Sequence, residues 1–232
     1  MNIAENLKTI NNNIAIAAQK SGRSAADITL IAVTKSVAPE VLASQIDTLL
    51  AAGVNNLGEN REQELKAKQP ICEPADKITW HMIGSLQRNK VKGVVGRVAM
   101  IHSVDSLRLA QEISRIATRE GVDADVLLEI NIADEDTKHG ITPAAARSLA
   151  DEIAQLPNIT IRGLMTIAPF VDDAQLNRPH FKKMAQMAAD LAQAGFDMRH
   201  LSMGMTIDYE VAIEEGATMV RIGTAIFGER KT

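Results

Sequence analysis

An amphipathic stretch, a glycine and then a short apolar run follow one another repeatedly along this chain, as in AAGVNNLG (51–58), QAGFDMRHLSMG (193–204) and EEGATMVRIG (214–223). Glycine suits a helix end because it enters the left-handed conformation without a Cβ penalty. Gly53, Gly121, Gly195 and Gly216 each stand where a helical pattern stops. The apolar runs that follow, rich in β-branched residues, read as strands and fall at 29–34, 54–58, 79–84, 100–104, 125–131, 160–167, 200–205 and 219–223. A helix between successive strands makes neighbours parallel. Eight strands in 232 residues, or roughly 29 residues per unit, predict an α/β fold: one (β/α)8 TIM-type barrel domain over 1–232. An extra helix over 3–20, carrying Leu7, Ile10, Ile14 and Ala17 at helical spacing, precedes the first strand. Pro39 and Pro143 stand at first helical positions, with Thr142 as the expected N-cap of the second. The rival, an open doubly wound sheet, would need five or six strands and, for dinucleotides, a GxGxxG turn, which VTKSVAPE lacks.

Composition narrows the function classes. With 46% hydrophobic and 23% charged residues the chain lies outside the disordered range. Its 25 basic and 29 acidic residues leave a formal charge of −4, without the basic bias of nucleic-acid binders. A single cysteine, Cys72 in a loop, excludes an intramolecular disulfide. The absence of a signal-type segment or long apolar span points to the cytoplasm and away from membranes.

In a (β/α)8 barrel the chemistry lies at the C-terminal ends of the strands. Read in order, those ends offer Lys35, Asn56 with Asn60, His81 with Ser85, Ser103 with Asp105, Asn131, Thr166, Ser202, and Arg221 with Thr224. Lys35 follows a run that should be buried on both faces, so its ammonium is expected in the barrel mouth with little water around it. Desolvation lowers a lysine pKa, and a neutral amine is the nucleophile that forms a Schiff base with an aldehyde. On spacing alone the alternative is equally weighted: a lysine that reaches to the rim or pairs with an acid such as Glu59.

The last two strand ends add to this. LSMGMT (201–206) and MVRIGTAIFG (219–228) supply Ser202, Gly204, Thr206, Gly223 and Thr224, a set of hydroxyls and glycine-lined backbone N–H groups suited to phosphate. The bland reading, tight turns and core-filling methionines, fits Met203 and Met205. A Schiff-base lysine facing a phosphate cradle is what pyridoxal 5′-phosphate (PLP) requires.

Seven segments, AVTK (32–35), NLGENREQE (56–64), WHMIGSLQRNK (80–90), HSVDS (102–106), GLMTIAP (163–169), SMGMT (202–206) and VRIGTAIFG (220–228), carry a resemblance that runs nearly end to end. The chain resembles the pyridoxal phosphate homeostasis protein family (YggS/PROSC type), which shares its barrel with the N-terminal domain of alanine racemase. The resemblance implies that Lys35 holds the cofactor as a Schiff base and Arg221 faces the pyridine nitrogen. It further implies that Ser202, Thr206, Gly223 and Thr224 bind the phosphate, with Asn56, His81 and Met165 as candidate surroundings of the ring. One departure is visible: the family's SMGM is usually followed by serine and an acidic residue, and here Thr206 and Ile207 follow.

A guanidinium beside the pyridine nitrogen disfavours a second positive charge on the ring and weakens the electron sink. The expected function is therefore PLP binding in intracellular vitamin B6 and amino-acid homeostasis without robust turnover. The expected state is a monomer, with PLP-dependent apoenzymes as candidate recipients. The alternatives are a weak PLP-dependent amino-acid racemase or lyase, and a phosphate-sugar barrel enzyme using Lys35 on a carbonyl. A two-base racemase needs a second acid/base group, and the one tyrosine, Tyr209, opens a helix after the seventh strand. His81 and His102 read as hydrogen-bonded structural residues and no metal site is expected. The run Asp134, Glu135, Asp136 reads as a solvated loop, with Lys138 and Gly140 at family positions. The cluster Arg88, Lys90 and Lys92 reads as an exposed helix start, with an anion or partner site as the alternative.

Overall fold

The computed structural model describes residues 2–72, 74–133 and 139–228. The acidic run 134–136 and Lys138 lie outside the described residues. Eight parallel strands close on themselves in sequence order: β1 (Thr29–Val33), β2 (Asn56–Glu59), β3 (Thr79–Met82), β4 (Met100–Val104), β5 (Ala124–Glu129), β6 (Ile159–Met165), β7 (His200–Ser202) and β8 (Met219–Ile222). Closure is set by β1, which pairs with β2 through Ile31 and Asn56 and with β8 through Ile31 and Arg221. A closed parallel barrel has no free edge to protect.

The helices are α1 (Ile3–Lys20), α2 (Pro39–Ala51), α3 (Glu62–Lys68), α4 (Leu107–Glu120), α5 (Ala146–Ile153), α6 (Arg178–Gln193), α7 (Tyr209–Glu214) and α8 (Thr224–Phe227). Gly53, Gly121, Gly195 and Gly216 all have positive φ at helix ends, as the glycine pattern predicts. Helix α2 starts at Pro39. The second proline start differs from expectation, because Pro143–Ala145 is a 3₁₀ turn ahead of α5 and Thr142 makes no side-chain capping bond. Helix α1 lies outside the barrel against α7 and α8, burying Leu7, Ile10, Ile14, Ala17 and Ala18. Asn6 Nδ2 there donates to the carbonyl of Ile226 at 3.0 Å.

Most strands stop one to three residues earlier than their apolar runs do. The run at 200–205 pairs as a strand only over His200–Ser202, and that at 125–131 only to Glu129. Single backbone bonds continue past several of these ends, among them Ile83 N–H to the Glu59 carbonyl at 2.9 Å and Arg221 N–H to the Gly204 carbonyl at 3.0 Å, so the apolar runs outlast the regular ladder. Inside the barrel, Ile31, Met100, Leu127, Met165 and Met219 form a small apolar cluster separate from the main core between strands and helices. The rest of the interior is polar, and that part leads to the site.

Candidate functional site

A guanidinium can only donate hydrogen bonds, and this fixes the polar interior one proton at a time. Arg221 on β8, 4% exposed, donates from Nη1 to Ser202 Oγ at 2.6 Å and from Nη2 to the Thr166 carbonyl at 2.8 Å. Taken with the Asn56 amide oxygen at the far end, which can only accept, and with both imidazoles neutral, this leaves the Ser202 hydroxyl giving its own hydrogen to His102 Nδ1, 3.0 Å away. His102 is left with its proton on Nε2, which lies 3.1 Å from His81 Nδ1. His81 Nε2–H in turn donates to Asn56 Oδ1 at 2.9 Å. The chain Arg221, Ser202, His102, His81, Asn56 thus runs one way from the mouth to the start of β2, with one proton on each imidazole. Burial, with His200 adding to it, pushes His81 down to about 4. Burial, then His81 and Arg221, pushes His102 well below the usual histidine range. Both rings are neutral at physiological pH. Burial also lowers Arg221 to about 10, against the pull of Glu129 and Asp208, so it stays cationic there.

The mouth above this chain is a cavity of about 650 Å³, a size typical of small-molecule sites. Lys35, Thr206, Arg221, Gly223 and Thr224 all line it, together with Asn60, Asn177 and Asp208. Its rim is apolar, with Val41, Ile167, Phe170, Met205 and Ile207 exposed around it. Gly223 lets the end of β8 lie against β1, since a Cβ there would come 3.2 Å from the Val33 carbonyl oxygen. Gly204 has φ +92° and a Cβ would lie 2.6 Å from the Ala212 Cβ, so the SMGMT turn folds back onto α7 only with glycine.

The structure places the remaining expected site residues away from the cavity wall or at its rim. Ser202 is fully buried and spends its hydroxyl between Arg221 and His102, so its side chain is absent from the cavity wall. Asn56 and His81 belong to the polar chain beneath the cavity, and Met165 to the inner apolar cluster. Lys35 is exposed at the rim, not desolvated, because it sits in the turn one residue past the last buried position, Thr34. Buried Asp208 accepts from Met205 N–H at 2.8 Å and from Asn177 Nδ2 at 2.7 Å and holds the SMGMT turn, while Ile207 is exposed.

Sequence reasoning missed Asp208 and Asn177; an acidic residue just ahead of a helical run, as in TIDYE, was the available signal. It also missed what Glu59 does. Glu59 accepts from Lys68 Nζ at 2.7 Å and from the Thr34 hydroxyl. Tyr209 lies outside the cavity wall, its hydroxyl accepting from Asn13 Nδ2 of α1 at 3.1 Å.

Residues 6–231 match the family model of the alanine racemase N-terminal domain. The pyridoxal phosphate homeostasis protein of Aquifex aeolicus is 41% identical over 232 residues, covering all of both chains. The protein of that name from Escherichia coli K12 is 39% identical over 237 aligned positions, 98% of this chain and 97% of its own. Among solved structures, PipY of Synechococcus elongatus PCC7942 with PLP bound is 36% identical with a TM-score of 0.82, covering 98% of this chain and all of that one.

Proposed function

The chain belongs to the pyridoxal phosphate homeostasis protein family, and from that premise we propose that it binds PLP in the cavity at the barrel mouth and holds it without robust turnover. The observation that carries this reading is convergence: a lysine, an arginine and a glycine–hydroxyl cradle line one cavity although they come from strands at opposite ends of the sequence. The residues fit the cofactor's chemistry. The hydroxyls of Thr206 and Thr224, with the backbone N–H groups of the turn that follows β8, would form a cradle for phosphate. Gly223 keeps that cradle free of a side chain. Lys35 would hold the cofactor through its aldehyde, with Nζ as the attaching atom, as an amine can. Arg221, held by Ser202 and the Thr166 carbonyl, would meet the ring nitrogen.

PLP bound to protein can act as an electron sink for carbanions. This chain's residues work against that use. A permanently charged guanidinium keeps the ring nitrogen unprotonated, and among the described lining residues the acid/base groups are Lys35, Asp208 and Arg221. Asp208 is committed to Met205 and Asn177, which leaves no second base opposite Lys35. The role is therefore to hold PLP in vitamin B6 and amino-acid homeostasis and to release it to apoenzymes that use it, as a monomer. No helix among the described residues is long and apolar enough to cross a membrane.

Titration of the purified protein with PLP should give a saturable visible absorption band, and pyridoxine 5′-phosphate, which has no aldehyde, should compete without giving one. Absence of a saturable band overturns the reading. Exchange of an added amino acid's Cα hydrogen at a steady rate would favour the weak racemase instead.

A further inference from the structure

The turn that carries Lys35 is tied on both sides to one buried ammonium, and Lys68, Glu59, Glu64 and Thr34, which make the tie, stand outside the cavity wall that Lys35 and Ser36 line. A lysine ammonium has three hydrogens to place. Lys68 Nζ, on a side chain 1% exposed, lies 2.7 Å from the Thr34 carbonyl, 2.7 Å from Glu59 Oε1 and 2.9 Å from Glu64 Oε2. Glu64 Oε2 also accepts the Ser36 N–H at 2.8 Å. The residue before Lys35 is therefore held by its carbonyl and the residue after it by its amide, through a single cluster.

The turn needs such a hold. Ser36 has φ +65°, a left-handed conformation that is costly for a non-glycine residue. The Val37 N–H to Thr34 carbonyl bond at 3.0 Å closes the turn, and the Thr34 hydroxyl donates to Glu59. Glu64 and Lys68 are one turn apart on α3, so the cluster is mounted on a helix. Burial pushes Glu64 up, yet the Lys68 ammonium and the Ser36 amide outweigh it and leave the carboxyl below its ordinary value.

We propose that Lys68, Glu59 and Glu64 are positioning residues: they fix the Thr34–Ser36 turn so that Lys35 meets the aldehyde carbon of PLP in an attack-ready direction. The inference rests on the PLP reading above. It separates two quantities a merely structural cluster would move together, the rate at which Lys35 forms its covalent link and the affinity of the cavity for the rest of the cofactor.

The test uses the full chain with PLP and pyridoxine 5′-phosphate. Glu64→Ala, which removes the tie to Ser36 and weakens that to Lys68, should slow the appearance of the visible band about tenfold, the scale of a small misalignment of reacting groups. Calorimetric affinity for pyridoxine 5′-phosphate should stay within about twofold of wild type, well under the tenfold that 1.4 kcal/mol represents. Glu64→Gln keeps an acceptor for Ser36 and should recover part of the rate, remaining about fivefold slow as a charged hydrogen bond becomes a neutral one. Should the alanine variant not fold, the glutamine variant decides alone. Wild-type rates in the variant, or a parallel fall in pyridoxine 5′-phosphate affinity, overturn the inference. If wild-type protein gives no band at all, the PLP reading has failed before the variants are compared.

Discussion

Two buried polar assemblies stand behind the two cationic side chains of the site, and they are built on opposite principles. Behind Arg221 runs a neutral chain in which each group donates once and accepts once, ending at Asn56. Behind Lys35 lies a charged cluster, one ammonium among two carboxylates. A neutral hydrogen-bond chain carries little desolvation penalty beyond its cationic end, whereas each ion of a buried pair costs several kcal/mol and is tolerable only while its partner is present. The chain therefore sets direction at modest cost, and the cluster sets position at high stakes. The arrangement also leaves Arg221 with a fixed, uncharged supporter, so its own charge is what it presents to the cavity.

The largest expected effect lies in the charged cluster. Lys68→Met leaves Glu59 buried without its ammonium and should destabilise the fold by about 3–5 kcal/mol near pH 8, read by urea unfolding. Burial, opposed by Lys68 and Thr34, raises the Glu59 pKa in the intact protein; without Lys68 it rises further, so the loss should shrink toward pH 5 as the carboxyl protonates. A loss below about 1 kcal/mol at pH 8, the size of an exposed pair, would break the comparison.

Next comes Glu129, beside the neutral chain and linked to it electrostatically through Arg221. Burial, then Asp105, raises it to about 7, and its buried Oε2 has no hydrogen-bond partner among the described residues. The folded protein thus holds a proton there that the unfolded chain releases near 4.5, so stability falls as pH rises from about 4.5 to about 7 and the cost is fully present above that. Glu129→Gln should add about 3 kcal/mol at pH 8 and almost nothing at pH 4.5. An equal gain at both pH values would contradict the assignment.

The smallest effect is expected within the neutral chain. His102→Gln interrupts it without stranding a charge and should cost about 1–2 kcal/mol at pH 8. Because His81 and His102 are held below 6.5 in the fold, their stabilisation is complete above that pH and is lost as pH falls toward about 4. The variant should therefore lose less than wild type on acidification. If it costs as much as Lys68→Met, the two assemblies do not differ in kind.

The barrel was legible because parallel strands buried on both faces leave continuous apolar runs, and because a helix end that turns left-handed selects glycine at Gly53, Gly121, Gly195 and Gly216. That Lys35 and Arg221 would meet at one cavity was legible for the same reason: both interrupt such runs, at the ends of β1 and β8. What could not be read was direction. Ser202 has the residue type of a phosphate ligand, and only the inward turn of its side chain commits it to His102 and Arg221. Lys68, in ELKAK, has the pattern of a solvated helix face, and what buries it is a turn more than thirty residues earlier in the chain. Local pattern carries no signal for such long-range ties.

The central claim is that Lys35 covalently holds PLP at this mouth. It is tested most directly by adding PLP, reducing with borohydride and mapping the modified peptide by mass. The account predicts a single reduced adduct on the peptide containing Lys35, and its loss together with the visible band in Lys35→Ala. An adduct on another lysine, or a band that survives in Lys35→Ala, would contradict it.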